Sequence, residues 1–183
     1  MKELKHILEQ VNPIKIIGDT AIAVNELKLD SRKVEKGDVF FAVKGTTADG
    51  HFFIPKVTEQ GASVIVCEEI PSELNAAVVY VQVKDARKTS AIMACNFYDH
   101  PSKKIQLVGV TGTNGKTSVA TLLHQIYVQK NHKSGLLSTI VNKINNEEIP
   151  STHTTPDPIA INALLRKMVD ENCEYAFMEV SSH

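Results

Sequence analysis

Lys116 and Thr117 stand directly behind the glycine pair Gly112 and Gly115 in the stretch VGVTGTNGKTSVATLLHQI, residues 108–126. Glycines let a backbone turn tightly and approach a ligand where a side chain would collide. A lysine and a hydroxyl at the start of the following helix suit the β- and γ-phosphates and the magnesium ion of a nucleotide. The spelling departs from the usual phosphate loop, which places a glycine where this chain has Val110; Gly109 sits one place too early. The physics of the loop survives the departure. The apolar run Ile105, Leu107, Val108 and Val110 predicts a buried strand, and Val119, Leu122, Leu123 and Ile126 fall at helical spacing behind the loop. Backbone N–H groups at such a helix start face an anion with the helix dipole behind them. Gly112, Thr113, Asn114, Gly115, Lys116, Thr117 and Ser118 are therefore the expected nucleotide-phosphate-binding residues.

An acid further along the chain suits the same chemistry. Glu179 closes the apolar run Tyr175–Val180, which puts a carboxylate at the carboxyl edge of a strand, where it can hold magnesium opposite the loop hydroxyl. An acid at a strand end is equally an ordinary solvated terminus. In STHTTPDP, residues 151–158, either Asp157 or Thr155 could cap the following helix with Pro158 in its first turn, or the threonines could bind a ligand. The segment from Asp30 to Phe53 gathers Asp30, Ser31, Arg32, Gly37, Asp38, Gly45, Asp49 and Gly50 around two strand ends, which alone is turn chemistry. NKIN, residues 142–145, resembles the guanine-reading tetrad of GTPases but has Asn145 in place of the carboxylate. The seven histidines show no metal-binding spacing.

The elements that must carry these residues alternate. From Pro101 onward the pattern gives a strand at 105–110, a helix at 117–130, a strand at 136–140, a hairpin around NKINNEEI, a helix at 158–169 and a strand at 175–180. This is the order of a mostly parallel, doubly wound α/β sheet, whose ligands gather at the carboxyl ends of strands. Upstream, a helix is expected over 1–10, strands over 24–29, 38–43, 63–68 and 78–83, and helices over 51–62 and 85–98. Pro55 is tolerated only in the first turn of its helix. YDHPSKK, residues 98–104, reads as a linker, so two α/β domains are expected, 1–100 and 101–183.

Composition excludes several classes. Over 183 residues, 20 Lys+Arg against 21 Asp+Glu give a net charge of -1, which argues against a nucleic-acid-coating protein. The N-terminus lacks the apolar centre of a signal peptide, and no run approaches a membrane span. Cys67, Cys95 and Cys173 are widely separated and suit a reduced, cytoplasmic protein. A strand emerging from a core and ending at His183 suggests a fragment of a longer protein.

Taken together, these motifs resemble the Mur ligases, the ATP-dependent amino-acid ligases of peptidoglycan synthesis. That family and the folylpolyglutamate ligases spell their phosphate loop TGTNGKT, found here at 111–117. DSRKVEKGDVFFAVKGTTADGHFF resembles the uridine-binding domain of the MurE and MurF branches, and TTPDP with MEVSSH resembles MurE. The resemblance spans essentially the whole chain. It implies that Ser31 contacts the uridine diphosphate, that Thr46, Thr47 and Ala48 contact the uracil, and that Thr154, Thr155 and Ser181 contact the muramoyl-peptide. Lys116 and Glu179 would be catalytic, with Thr117 and Glu179 holding Mg2+. The implied partners are ATP, UDP-MurNAc-L-Ala-D-Glu and a diamino acid, meso-diaminopimelate or L-lysine, used by a monomer without nucleic acid or membrane insertion. A carbamylated lysine and an amino-acid-recognising domain are expected beyond His183. Two rival readings stand: another P-loop phosphotransferase, which leaves the uridine-type segment unexplained, and a non-catalytic nucleotide or UDP-sugar binding module.

Overall fold

The computed structural model describes residues 1–45, 48–149 and 157–180. They form two compact units, 1–97 and 98–183.

In the first unit, β1 (Lys2–Glu3) leads into the one-turn helix α1 (Leu4–Ile7), and β2 (Lys15–Ile17), β3 (Ala23–Val24) and β4 (Leu27–Lys28) follow. Next come β5 (Val39–Ala42), α2 (Ile54–Glu59), β6 (Val64–Cys67), β7 (Val79–Gln82) and α3 (Ala86–Phe97). The main sheet runs β2-β7-β6-β5-β4, parallel from β4 to β7 with β2 antiparallel at the edge. Runs such as VFFA and VIVC are buried along their whole length because helices cover both faces, as parallel sheets require. Ile54 and Val57 of α2 pack with Phe40, Ile65 and Tyr80 on one face, while α3 packs against α1 and β5.

Three expectations need correction here. The helix expected over 1–10 is four residues long, because Leu4 N–H bonds to Ile22 O at 2.8 Å and β1 pairs with β3, which ties the N-terminus into a ladder. The strand expected over 24–29 is split between two partners, β3 on β1 and β4 on β5, with Asn25 N–H donating to Gly37 O between them. The edge strand β2 was not anticipated at all. Pro55 does sit in the first turn of α2, behind a 3-10 turn at Gly50–Phe53.

The second unit contains β8 (Gln106–Val110), α4 (Lys116–Gln129), β9 (Ser134–Leu137), β10 (Asn142–Ile144), β11 (Glu147–Ile149), α5 (Pro158–Asp170) and β12 (Tyr175–Glu179). Its sheet runs β11-β10-β9-β12-β8, with β12 parallel to both neighbours and the β10–β11 hairpin antiparallel. Alternation along the strands divides the core. Leu136 and Phe177 face Ala120, Leu123 and Tyr127 of α4, whereas Leu137 and Ala176 face Leu165 and Met168 of α5. The two helices thus cover opposite faces, which is double winding. Asp157 caps α5, its carboxylate accepting from Ala160 N–H at 2.8 Å, with Pro158 behind it.

The buried-strand expectation for 105–110 fails in its surroundings. β8 is an edge strand with Val108 39% exposed. Across from it Val119, Leu122 and Ile126 of α4 are exposed as well, because the face turned to the sheet is the neighbouring stripe of Ala120, Leu123 and Tyr127. Cys67 and Cys173 are buried free thiols, and burial pushes the Cys67 thiol up to about 11. No helix of the described residues is long and apolar enough to cross a membrane.

Candidate functional site

Parallel pairing of β12 with β8 and β9 brings three strand ends to one edge: Val110, Leu137 and Glu179. The phosphate loop leaves from the first of them. Gly112 (φ 146°) and Gly115 (φ 81°) occupy left-handed backbone, and Gly115 is the residue from which α4 starts. Among the described residues nothing lies within 4 Å of a Cβ added at Gly115, so its backbone angle calls for glycine. Residues 111–115 are exposed, and the N–H groups of the first helical turn have no intrahelical acceptor. Lys116 Nζ folds back over this loop, donating to Gly112 O at 2.9 Å and lying 3.4 Å from Thr113 O.

Thr117 and Glu179 are brought into contact. The Thr117 hydroxyl donates to Glu179 Oε2 at 2.9 Å. Thr139, which the sequence reading passed over, adds two donors to the same oxygen: its N–H at 3.3 Å and its hydroxyl at 3.1 Å. Burial pushes the Glu179 pKa up, but the Thr139 N–H, the Thr117 and Thr139 hydroxyls and the Lys116 charge together outweigh it and hold it below the ordinary 4.5. The acid is therefore ionised at neutral pH.

Thr139 was missed because the strand was expected to run to Ile140. It ends at Leu137 instead. Ser138 Oγ donates to Val141 O at 2.7 Å and accepts from Val141 N–H at 3.1 Å, while Asn142 Oδ1 accepts from Ser138 N–H at 3.2 Å. These local bonds turn the chain and place Thr139 at the strand end. A Ser-Thr pair at the end of an apolar run was the available signal. Asn142 and Asn145 of NKIN are spent on such structural bonds, Asn145 Oδ1 accepting from Ser134 N–H at 3.0 Å.

The donor set fits magnesium. A hard cation that keeps several waters and shares phosphate oxygens needs only one or two protein carboxylates. Two cis oxygens on an octahedral magnesium lie about 2.9 Å apart, from metal–oxygen distances of about 2.05 Å, and Thr117 Oγ1 and Glu179 Oε2 are already 2.9 Å apart. The described residues contain no group of three or more His, Cys, Asp or Glu placed to hold a metal.

In the first unit the loops after the parallel neighbours β4 and β5 leave from one sheet edge. Ser31, 8% exposed, opens the 3-10 turn Ser31–Lys33, which Asp30 caps by accepting from Arg32 N–H. The Arg32 guanidinium and backbone N–H hold the Asp30 carboxyl down to about 2. Ala48 is exposed and its carbonyl accepts from Gly45 N–H at 3.0 Å, closing the loop after β5. Below that loop Asp49 Oδ1 lies 2.6 Å from His51 Nδ1, and His51 Nε2 faces the N–H groups of Glu68 at 3.0 Å and Glu69 at 3.3 Å. Backbone N–H groups only donate, so Nε2 must accept and the proton sits on Nδ1, donated to Asp49. His51 had no place in the sequence reading, since its partners lie 17 and 18 positions away. Thr46, Thr47, Thr154, Thr155 and Ser181 lie outside the described residues.

Residues 23–98 match the family model described as Mur ligase family, catalytic domain, and residues 110–183 match Mur ligase middle domain. A UDP-N-acetylmuramoyl-L-alanyl-D-glutamate--2,6-diaminopimelate ligase of Bacteroides fragilis is 51% identical over 99% of this chain. Like-named ligases of Cytophaga hutchinsonii and Clostridium acetobutylicum are 48% and 43% identical over 99% of the chain. The chain spans 37% of the length of each. Among solved structures, a ligase of the same description superposes with a TM-score of 0.78 at 24% identity, over 96% of this chain and 36% of the other. A MurF ligase from Thermotoga maritima in complex with ADP superposes with a TM-score of 0.58 at 23% identity, over 85% of this chain and 32% of the other. These two likenesses concern the fold. With two models of one family matching most of its length between them, the chain belongs to the Mur ligase family.

Proposed function

We propose that this chain is part of a MurE-type ligase that uses ATP to join a diamino acid to UDP-MurNAc-L-Ala-D-Glu in peptidoglycan synthesis. The single observation that carries the reading is the 2.9 Å contact of Thr117 and Glu179 at the mouth of the phosphate loop, a ready pair of magnesium ligands. The names of the relatives favour 2,6-diaminopimelate as the added residue. In this reading residues 1–100 bind the UDP-MurNAc part through Ser31, Thr46, Thr47 and Ala48, and residues 101–183 begin the ATP-binding domain. Thr154, Thr155 and Ser181 contact the muramoyl-peptide. The protein works as a cytoplasmic monomer.

The chemistry follows from charge. An oxygen of the D-glutamyl side-chain carboxylate attacks the γ-phosphorus of ATP, ADP leaves, and an acyl phosphate results. The diamino acid's amine then attacks the acyl carbon, phosphate leaves, and the nitrogen loses its proton to give the amide. Bringing one anion onto another is the electrostatic problem. Lys116 and the loop N–H groups from Gly112 to Ser118 neutralise the phosphoryl oxygens, while Thr117 and Glu179 would hold Mg2+, whose charge offsets that of the β- and γ-phosphates.

Calorimetric titration of the 183-residue chain with UDP-MurNAc-L-Ala-D-Glu, against UDP-N-acetylglucosamine, tests the reading. Saturable binding selective for the muramoyl-dipeptide is expected. ATP–magnesium binding without it would favour the phosphotransferase alternative, and binding of both UDP-sugars alike would favour the non-catalytic module.

A further inference from the structure

Three donors converge on one oxygen of Glu179, and two of them belong to Thr139. A glutamate at the last position of a strand has three side-chain torsions and no neighbour of its own strand beyond it, so its carboxylate direction must be fixed from elsewhere. Thr117 cannot fix it alone, because that hydroxyl is also the group offered to the cation. Thr139 comes from the end of a different strand and offers a paired N–H and O–H, so it sets the direction of approach as well as the distance.

The turn presenting Thr139 is itself held rigid. Ser138 and Asn142 are 4% and 3% exposed, joined by the Ser138 N–H bond to Asn142 Oδ1, and Ser138 Oγ is bonded to both the O and the N–H of Val141. Thr139 is half-buried and touches no phosphate-loop residue in any hydrogen bond recorded for the described residues. Its N–H and its hydroxyl both donate to Glu179 Oε2.

We propose that Thr139 is a positioning residue for the magnesium site: it holds the Glu179 carboxylate where this acid and the Thr117 hydroxyl take a divalent cation together. The proposal rests on the reading of Thr117 and Glu179 as magnesium ligands. Partners that orient a metal-binding side chain typically change metal affinity by about 10- to 100-fold when removed.

The test is calorimetric binding of ATP to the 183-residue chain over a magnesium series and in EDTA, for the wild type, Thr139→Val, Thr139→Ser and Glu179→Gln. Thr139→Val should need roughly tenfold more magnesium to reach half of the metal-dependent gain in ATP affinity, with its affinity in EDTA unchanged. Thr139→Ser, which keeps both donors, should behave as the wild type. If Thr139→Val does not fold, Thr139→Ala removes the same hydroxyl and carries the same comparison. A wild-type magnesium dependence in the hydroxyl-less variant, or an equal loss of affinity in EDTA, overturns the positioning role. A magnesium dependence that Glu179→Gln leaves intact overturns the ligand assignment itself, and the role of Thr139 falls with it.

Discussion

The hydroxyl of Thr117 and the carboxylate of Glu179 meet at 2.9 Å although 62 positions separate them in the chain. The parallel register that sets Glu179 opposite Val110 produces the meeting, because the phosphate loop starts one residue after Val110 and returns Thr117 to the same sheet edge. An acid and a hydroxyl so placed at one sheet edge suit a nucleotide-bound cation.

Glu179 should make the stability of the chain respond to acid. Burial opposes ionisation, yet the donors from Thr139 and Thr117 and the charge of Lys116 leave its pKa below the ordinary 4.5. A depressed folded-state pKa contributes stability that is present above the unfolded value and lost as pH falls through the folded one. The melting-temperature gap between wild type and Glu179→Gln should therefore be constant near neutrality and close as pH drops below 4.5. Thermal melts over a pH series read this directly; a gap that widens in acid would contradict it.

Lys116→Ala should weaken ATP binding by roughly 10- to 100-fold, the loss of charge-assisted contacts worth about 1.5–3 kcal/mol. Its present bonds to Gly112 O and Thr113 O are exposed, so the melting temperature without nucleotide should barely move. Calorimetry with ATP–magnesium checks the first part, and wild-type affinity in the variant would refute it.

Gly50→Ala should destabilise the first unit by about 3 kcal/mol, at the upper end of overpacking. An added Cβ would lie 2.6 Å from Val43 N and 2.8 Å from Val43 O, and backbone atoms in a strand-end loop cannot swing aside. Urea unfolding followed by circular dichroism measures the loss. An unchanged midpoint would show that the loop is looser than described.

His51→Phe keeps the ring volume but strips the acceptor from the Glu68 and Glu69 N–H groups and the donor from Asp49. A cost of about 1–3 kcal/mol is expected for the unsatisfied groups. Proton–nitrogen NMR of the wild type should show the imidazole proton on Nδ1, and the Nε2–H tautomer would rule out this arrangement.

Much of the architecture was legible in the residues themselves. GTNGKT between an apolar run and a helical stripe announced strand, loop and helix, and Asp157-Pro158 announced a capped helix, because glycine angles, caps and proline act over a few neighbouring residues. Local pattern misled at the N-terminus, where spacing that suits a helix lost to the Leu4–Ile22 bond, and at Val119, Leu122 and Ile126, whose apolar stripe faces outward. Periodicity reports that a helix has apolar sides and is silent on which side the sheet takes.

The sequence by itself determined the glycine-bearing loop between strand and helix, the acid at the end of β12, the two alternating α/β segments and the family resemblance, all written in contiguous residues. Only the tertiary structure decided that Thr139 donates twice to the Glu179 carboxylate, that the His51 ring accepts from two distant N–H groups, and that β8 lies at an edge of its sheet. These depend on strand order and parallel register, which join residues tens of positions apart through backbone pairing that no local spacing encodes.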